Sequence, residues 1–157
     1  MRAALALLFL TAGATFAQPV VPDPAQTPGS LNPAVMQETI GVTICQSGWT
    51  VIVRPPYPAM HAIKVNLLRQ MRGQGYAVGM QDVELDHLIP LSLGGSPDDM
   101  RNLWLEPRAG IWSAARKDDV EAILPRLVCD GIVPLAVAQQ AIASDWTEAW
   151  ERYIGGQ

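Results

Sequence analysis

Three side chains in one short run, Glu84, Asp86 and His87, carry the chemistry most easily read from this chain, and Asn102 follows them at close range. Alternate residues of a strand share a face, so Glu84 and Asp86 project together while His87 points the other way. One edge can therefore offer carboxylate oxygens to a hard divalent cation while the neighbouring imidazole does separate work. A neutral imidazole, with a pKa near 6.5 when unperturbed, can take a proton from an attacking water. Hydrolysis of a phosphodiester needs both parts, a metal to neutralise charge on phosphate and leaving oxygen and a base to activate water.

The elements that must position these residues can be read from pattern. Val83 to Ile89 reads as a strand with Pro90 behind it, Gly94-Gly95-Ser96-Pro97 as a loop, and Asn102 to Glu106 as a second strand. Ile111 to Leu124 has helical spacing that predicts a stop or kink at Pro125. Before this core, Asn32-Pro33 starts a short predicted helix to about Ile40, and Thr50 to Arg54 reads as a strand ended by Pro55-Pro56. Ile63, Leu67, Leu68 and Met71 predict a helix over Ala59 to Arg72, ended by Gly73. Pro134 opens a further helix, and Asp145 with Glu148 has capping-box spacing for a last one. Strand, loop, strand and helix flanked by helices make an α+β domain.

The first 17 residues have the form of a signal peptide: Arg2 is the positive start, Ala3 to Leu10 the apolar stretch, and Thr15-Phe16-Ala17 the cleavage site. Gln18 follows, and the prolines at 19, 22, 24 and 28 make residues 18–31 an extended tether, leaving 32–157 as a single domain. The mature chain would have 157 − 17 = 140 residues with 10 basic and 15 acidic side chains, a net charge of −5. That excludes a protein that coats nucleic acid by charge alone, but not an enzyme that touches it at one site. The localisation expected is periplasmic or secreted, with no membrane association once the signal peptide is removed. In such a compartment Cys45 and Cys129 form a disulfide or remain as two buried thiols.

Charge is unevenly placed. No acidic residue lies between Glu38 and Asp82, where Arg54, Lys64, Arg69 and Arg72 all stand, whereas Asp82 to Glu121 holds nine acids against four bases. The basic run is the candidate surface for phosphates, the alternative being a solvated rim. The five tryptophans, Trp49, Trp104, Trp112, Trp146 and Trp150, could stack on bases, but in so small a chain they are expected in the core. His61 is isolated in sequence and suggests no role.

The run Asp86-His87-x-x-Pro90-Leu91-x-x-Gly94-Gly95, followed by Asn102-Leu103, resembles the HNH endonucleases, also called ββα-metal nucleases. Glu84 ahead of the pair is similar to the colicin-type members. The resemblance covers about 83–124, and the ends of the chain, Leu31 to Thr50 and Val128 to Trp146, resemble small exported bacterial proteins carrying this motif. It implies a metal-dependent endonuclease acting on DNA or RNA, with Asp86 as metal ligand, His87 as general base and Asn102 as the residue that holds the loop and orients the base. The cofactor implied is a divalent ion, Mg²⁺ first, with Zn²⁺, Mn²⁺ or Ni²⁺ as alternatives. Arg54, Arg69, Arg72 and Lys117 would contact the nucleic acid.

The third position departs from the family. Its His or Asn ligand near the helix start, a few residues before a Lys, has no counterpart in Ile111-Trp112-Ser113-Ala114-Ala115-Arg116-Lys117-Asp118. Ser113, Asp118 or Glu121 would complete the metal shell, or the ion would hang on Asp86, water and substrate alone. The zinc-binding Cys-x-x-Cys pairs of many members are also missing, and a Cys45–Cys129 bond worth roughly 4 kcal/mol would partly replace their bracing. The rival expectation is a catalytically inactive scaffold that keeps the hairpin and binds a partner.

Overall fold

The structure, a computed structural model, describes residues 19–156, so the signal-peptide reading of residues 1–17 lies outside them. Its architecture is α+β. Helices α1 (Trp49–Val53) and α2 (Tyr57–Gly73) precede strands β1 (Val83–His87) and β2 (Leu103–Pro107), and α3 (Ala114–Cys129) and α4 (Leu135–Tyr153) follow. The strands pair antiparallel in a two-stranded sheet, with Glu84 opposite Glu106, Asp86 opposite Trp104 and His87 opposite Leu103.

This register sorts the side chains. Glu84, Asp86, Trp104 and Glu106 share one face, and Val83, Leu85, His87, Leu103 and Leu105 share the other. Trp104 enters the larger core with Val120, Leu124 and Val128 of α3 and Ile142 and Trp146 of α4. Val83 and Leu105 enter a second core with Leu68 of α2 and Val78. The sheet thus lies between α2 and the α3–α4 pair, and its charged residues face α3. The tryptophans mostly serve packing as expected: Trp112 meets Trp146 and Trp150 edge-on at 5.8 and 5.9 Å, and the Arg116 guanidinium lies 4.0 Å from the Trp150 ring centre.

Several expectations need correction. Thr50 to Val53 is helical, with Arg54 as its extended C-cap, because Gly48 in a left-handed turn (φ 84°) launches α1 and no strand among the described residues lies alongside to pair it. The segment after Asn32 forms turns and a 3-10 helix at Gln37–Val42 in place of a helix from 32 to 40. Pro125 does not stop α3, which continues to Cys129. Residues 19–31 are strapped to the domain: the indole of Trp146 donates to the Val20 carbonyl (2.8 Å), the Gly29 amide to the Arg101 carbonyl (2.9 Å) and the Ser30 hydroxyl to Asp99 (2.7 Å). The last helix expected from Asp145 and Glu148 is borne out as the second part of α4: Asp145 is non-helical, and its carboxylate caps the turn by accepting from the Thr147 amide (2.8 Å) and the Glu148 amide (3.3 Å).

Cys45 and Cys129 are joined in a disulfide, with Cα atoms 5.6 Å apart, pinning the segment before α1 to the end of α3. No helix among the described residues is long and apolar enough to cross a membrane.

Candidate active site

His87 ends β1 and is only 5 % exposed. Its Nε2 lies 2.8 Å from the Pro97 carbonyl, which can only accept, so Nε2 carries the proton and Nδ1 keeps its lone pair. Burial lowers the imidazole pKa below its ordinary value, and Arg54 and Lys117 add to this. The Pro97 bond and Asp86 oppose them without reversing the direction. At neutral pH the ring is therefore uncharged, with one nitrogen fixed as donor and the other ready to accept.

The loop that supplies Pro97 is held by Asn102. This fully buried side chain accepts from the Ile89 amide (2.9 Å) and donates to the carbonyls of Ile89 (3.0 Å) and Ser96 (2.9 Å). With its side-chain bonds going to the backbone of Ile89 and Ser96, Asn102 acts on the imidazole through the loop. Glycine at 95 is required, because an added Cβ would lie 1.8 Å from the Ile89 carbonyl oxygen and 2.7 Å from the Asn102 amide nitrogen. Gly94 combines φ 77° with a close approach to Val35, whose side chain would lie 2.5 Å from an added Cβ.

On the opposite face, Lys117 of α3 reaches into the carboxylates. It is fully buried, and its ammonium donates to Asp86 Oδ2 (2.6 Å), to the His87 carbonyl (2.9 Å) and to the Glu121 carboxylate one turn along the helix. Burial alone would lower its pKa, but Asp86, Glu121 and Glu106 hold it above the ordinary lysine value. Glu106, also buried, is pushed up to about 9 by loss of solvent, with Lys117 pulling against that and Asp86 adding to it. It is therefore a neutral carboxyl at neutral pH. Its Oε1 has no hydrogen-bond partner. Glu121 is raised to about 7, again by burial first and against Lys117.

Lys117 therefore has no surface to offer a polyanion, which corrects its expected role in nucleic-acid contact. Glu121 is committed to the same ammonium. Ser113 is the N-cap of α3, its carbonyl accepting from the amides of Arg116 and Lys117. Of the carboxylates expected around a metal, Asp118 alone has no ion pair to Lys117; Asp86 shares that ammonium with Glu121, and Glu84 beside them is paired with Arg108. Each of Glu84 and Asp118 has its pKa raised, by burial first and by Asp86 as well, so Glu84, Asp86 and Asp118 feel one another's charge. Among the described residues no three His, Cys, Asp or Glu side chains converge into a closed ligand cluster. The donors are all oxygens, few and partly exposed, with 31 % of the Glu84 side chain and 21 % of the Asp86 side chain open to solvent. This suits an ion that keeps several waters and shares its shell with substrate phosphates, as Mg²⁺ does.

A groove of about 410 Å³ runs along the unpaired edge of β1, lined by Glu84 from one face and by Leu85 and His87 from the other. Its far wall carries Arg54, Tyr57, His61 and Lys64, with Arg108 after β2. Arg108 pairs with Glu84 at 3.2 Å, and the Lys64 ammonium is tied to the carbonyls of Met80 (2.9 Å) and Val83 (2.7 Å). Of the basic run expected to contact phosphates, Arg54 and Lys64 line this groove. Arg72 binds the Val78 carbonyl through Nε (2.8 Å), and Arg69 is exposed on α2 beside Asn66. His61, isolated in sequence, faces the same groove as His87, and only folding reveals this. Compared with family models, curated proteins and solved structures, the chain matches none.

Proposed function

We propose that this chain is an exported, Mg²⁺-dependent phosphodiesterase that cleaves nucleic acid, built on a ββα-metal core formed by β1, β2 and α3. The observation that carries this reading is His87: a neutral imidazole, oriented through Pro97, at the floor of a groove whose walls bear Arg54, Lys64 and Arg108. His87 Nδ1 takes a proton from the water that attacks phosphorus. Arg54 and Arg108 draw the phosphate into the groove, and Asn102 keeps the loop, and so the imidazole, in place. Asp86, with Asp118 and Glu84, would hold the metal, which when bound supplies charge neutralisation on the phosphate and the departing oxygen. Lys117 fixes Asp86 through its ammonium, 2.6 Å from Oδ2, and so acts as a positioning residue.

Incubating plasmid and single-stranded oligonucleotide with the protein, in Mg²⁺ and then in EDTA, tests this. Cleavage that EDTA abolishes and Asp86→Ala removes is the expected result.

A scaffold reading is favoured by one observation, that the Lys117 ammonium already neutralises Asp86 and Glu121. Absence of cleavage under Mg²⁺ and Mn²⁺, with nucleic-acid binding retained, would select it.

A further inference from the structure

Tyr57 stands at the first turn of α2 with 77 % of its surface exposed, although an aromatic ring of this size is ordinarily covered. One turn on, His61 lies with its ring centre 5.7 Å from that of Tyr57, the planes tilted by 39°. Both rings line the groove that holds His87 and Glu84, beside the guanidinium of Arg54. The lip of the groove therefore offers two adjacent rings and a cation, and its floor a recessed base.

The groove has the bulk of a small-molecule site, enough for a base with its phosphate but not for the width of a paired helix. With His87 at 5 % exposure, a phosphodiester reaches its Nδ1 only if the strand bends into the groove. A paired, stacked strand resists that bend, whereas an unpaired one accepts it, and its freed base then needs a surface. Stacking on an aromatic ring supplies one, at about 1–3 kcal/mol per base whatever the sequence, while flanking cations follow the backbone.

We infer that the substrate is single-stranded or locally unpaired nucleic acid, held by stacking of one base on the Tyr57–His61 pair with its phosphate directed past Arg54 toward His87. This rests on the nuclease reading for the chemical class of the ligand, but its test does not depend on turnover. The protein carrying His87→Ala, in Mg²⁺, is titrated into a single-stranded oligonucleotide bearing 2-aminopurine, and into the same strand paired in a duplex. The expected result is tighter binding of the single strand with quenched fluorescence. Adding Tyr57→Leu should weaken that binding about 5- to 100-fold and abolish the quench, whereas Tyr57→Phe should preserve both.

Equal affinity for duplex and single strand overturns the inference, as does a Tyr57→Leu variant that binds and quenches unchanged, or no binding to either form. Cleavage by the parent protein is scored separately. If the parent cuts duplex and single strand alike and Tyr57 is silent, the inference falls and the nuclease reading stands. If the single strand binds with the Tyr57-dependent quench and the parent cuts nothing, the nuclease reading falls and the site stands.

Discussion

Two buried groups at the carboxylate face have opposite consequences for stability. Lys117 is the cation that Asp86 and Glu121 share, so Lys117→Met should cost up to about 3–5 kcal/mol, because it leaves two partly buried anions without a partner. A urea titration measures it; a variant as stable as the parent would return Lys117 to the surface role expected from sequence. Glu106 works the other way. Its folded pKa, about 9, lies above the unfolded value, so its contribution is fully present below about pH 4.5 and is lost as pH rises toward 9. Glu106→Gln should therefore gain about 1–3 kcal/mol at pH 8 and nothing at pH 4.5. Thermal melts of both proteins at the two pH values check the sign, and an equal gain at both would mean that Glu106 is not the titrating group. The role of Lys117 was readable in part. It stands three residues before Val120 and seven before Leu124, on the stripe that α3 buries, where a lysine persists only if it is paired.

At the scale of elements, the hairpin was legible because Val83 to His87 alternates apolar with charged residues, Leu103 to Leu105 is a short apolar run, and the loop between them is marked by Pro90, Gly94 and Gly95. The helix α1 was not. Thr50, Val51, Ile52 and Val53 are β-branched, and by propensity they read as a strand. A strand needs a neighbour to pair with, and at the surface, where Val51 and Ile52 are exposed, a single helical turn satisfies its own amides. The tether was misread for a related reason: small polar and proline residues give no periodic signal, yet Val20, Gly29 and Ser30 find partners more than sixty residues away in sequence. Asn102 was found through its place in the motif, and the reason for it is mechanical. Asn102→Ala removes three hydrogen bonds around Ile89 and Ser96, two of them buried, and should cost about 2–4 kcal/mol. Because it acts through the Pro97 loop, it should also slow cleavage without weakening metal binding, and calorimetric metal titration beside a rate assay separates the two effects. A variant of parental stability and rate would remove Asn102 from the account.

For the molecule as a whole, one covalent link and one groove matter most. The Cys45–Cys129 bond closes a loop of 84 residues and ties the segment that launches α1 to the helix that carries Lys117. Reduction, or Cys45→Ser with Cys129→Ser, should lower stability by about 4 kcal/mol. It should also loosen the far wall of the groove, seen as faster hydrogen exchange over α1 and the start of α2; unchanged exchange would confine the disulfide to a purely global role. The groove brings together residues from both halves of the charge asymmetry, with Arg54, His61 and Lys64 from the basic segment facing Glu84 and His87 from the acidic one. The proposed activity therefore depends on His87 working as a base at that junction. The most direct test is the pH dependence of single-turnover cleavage of a single-stranded oligonucleotide at saturating Mg²⁺, for the parent and for His87→Ala. The predicted result is a parental rate that rises through a pKa below 6.5 and levels off by neutral pH. The variant should lack that limb and run about 10²–10⁴-fold slower at its plateau. A variant that keeps the parental rate, or a rising limb that survives the loss of His87, would contradict it.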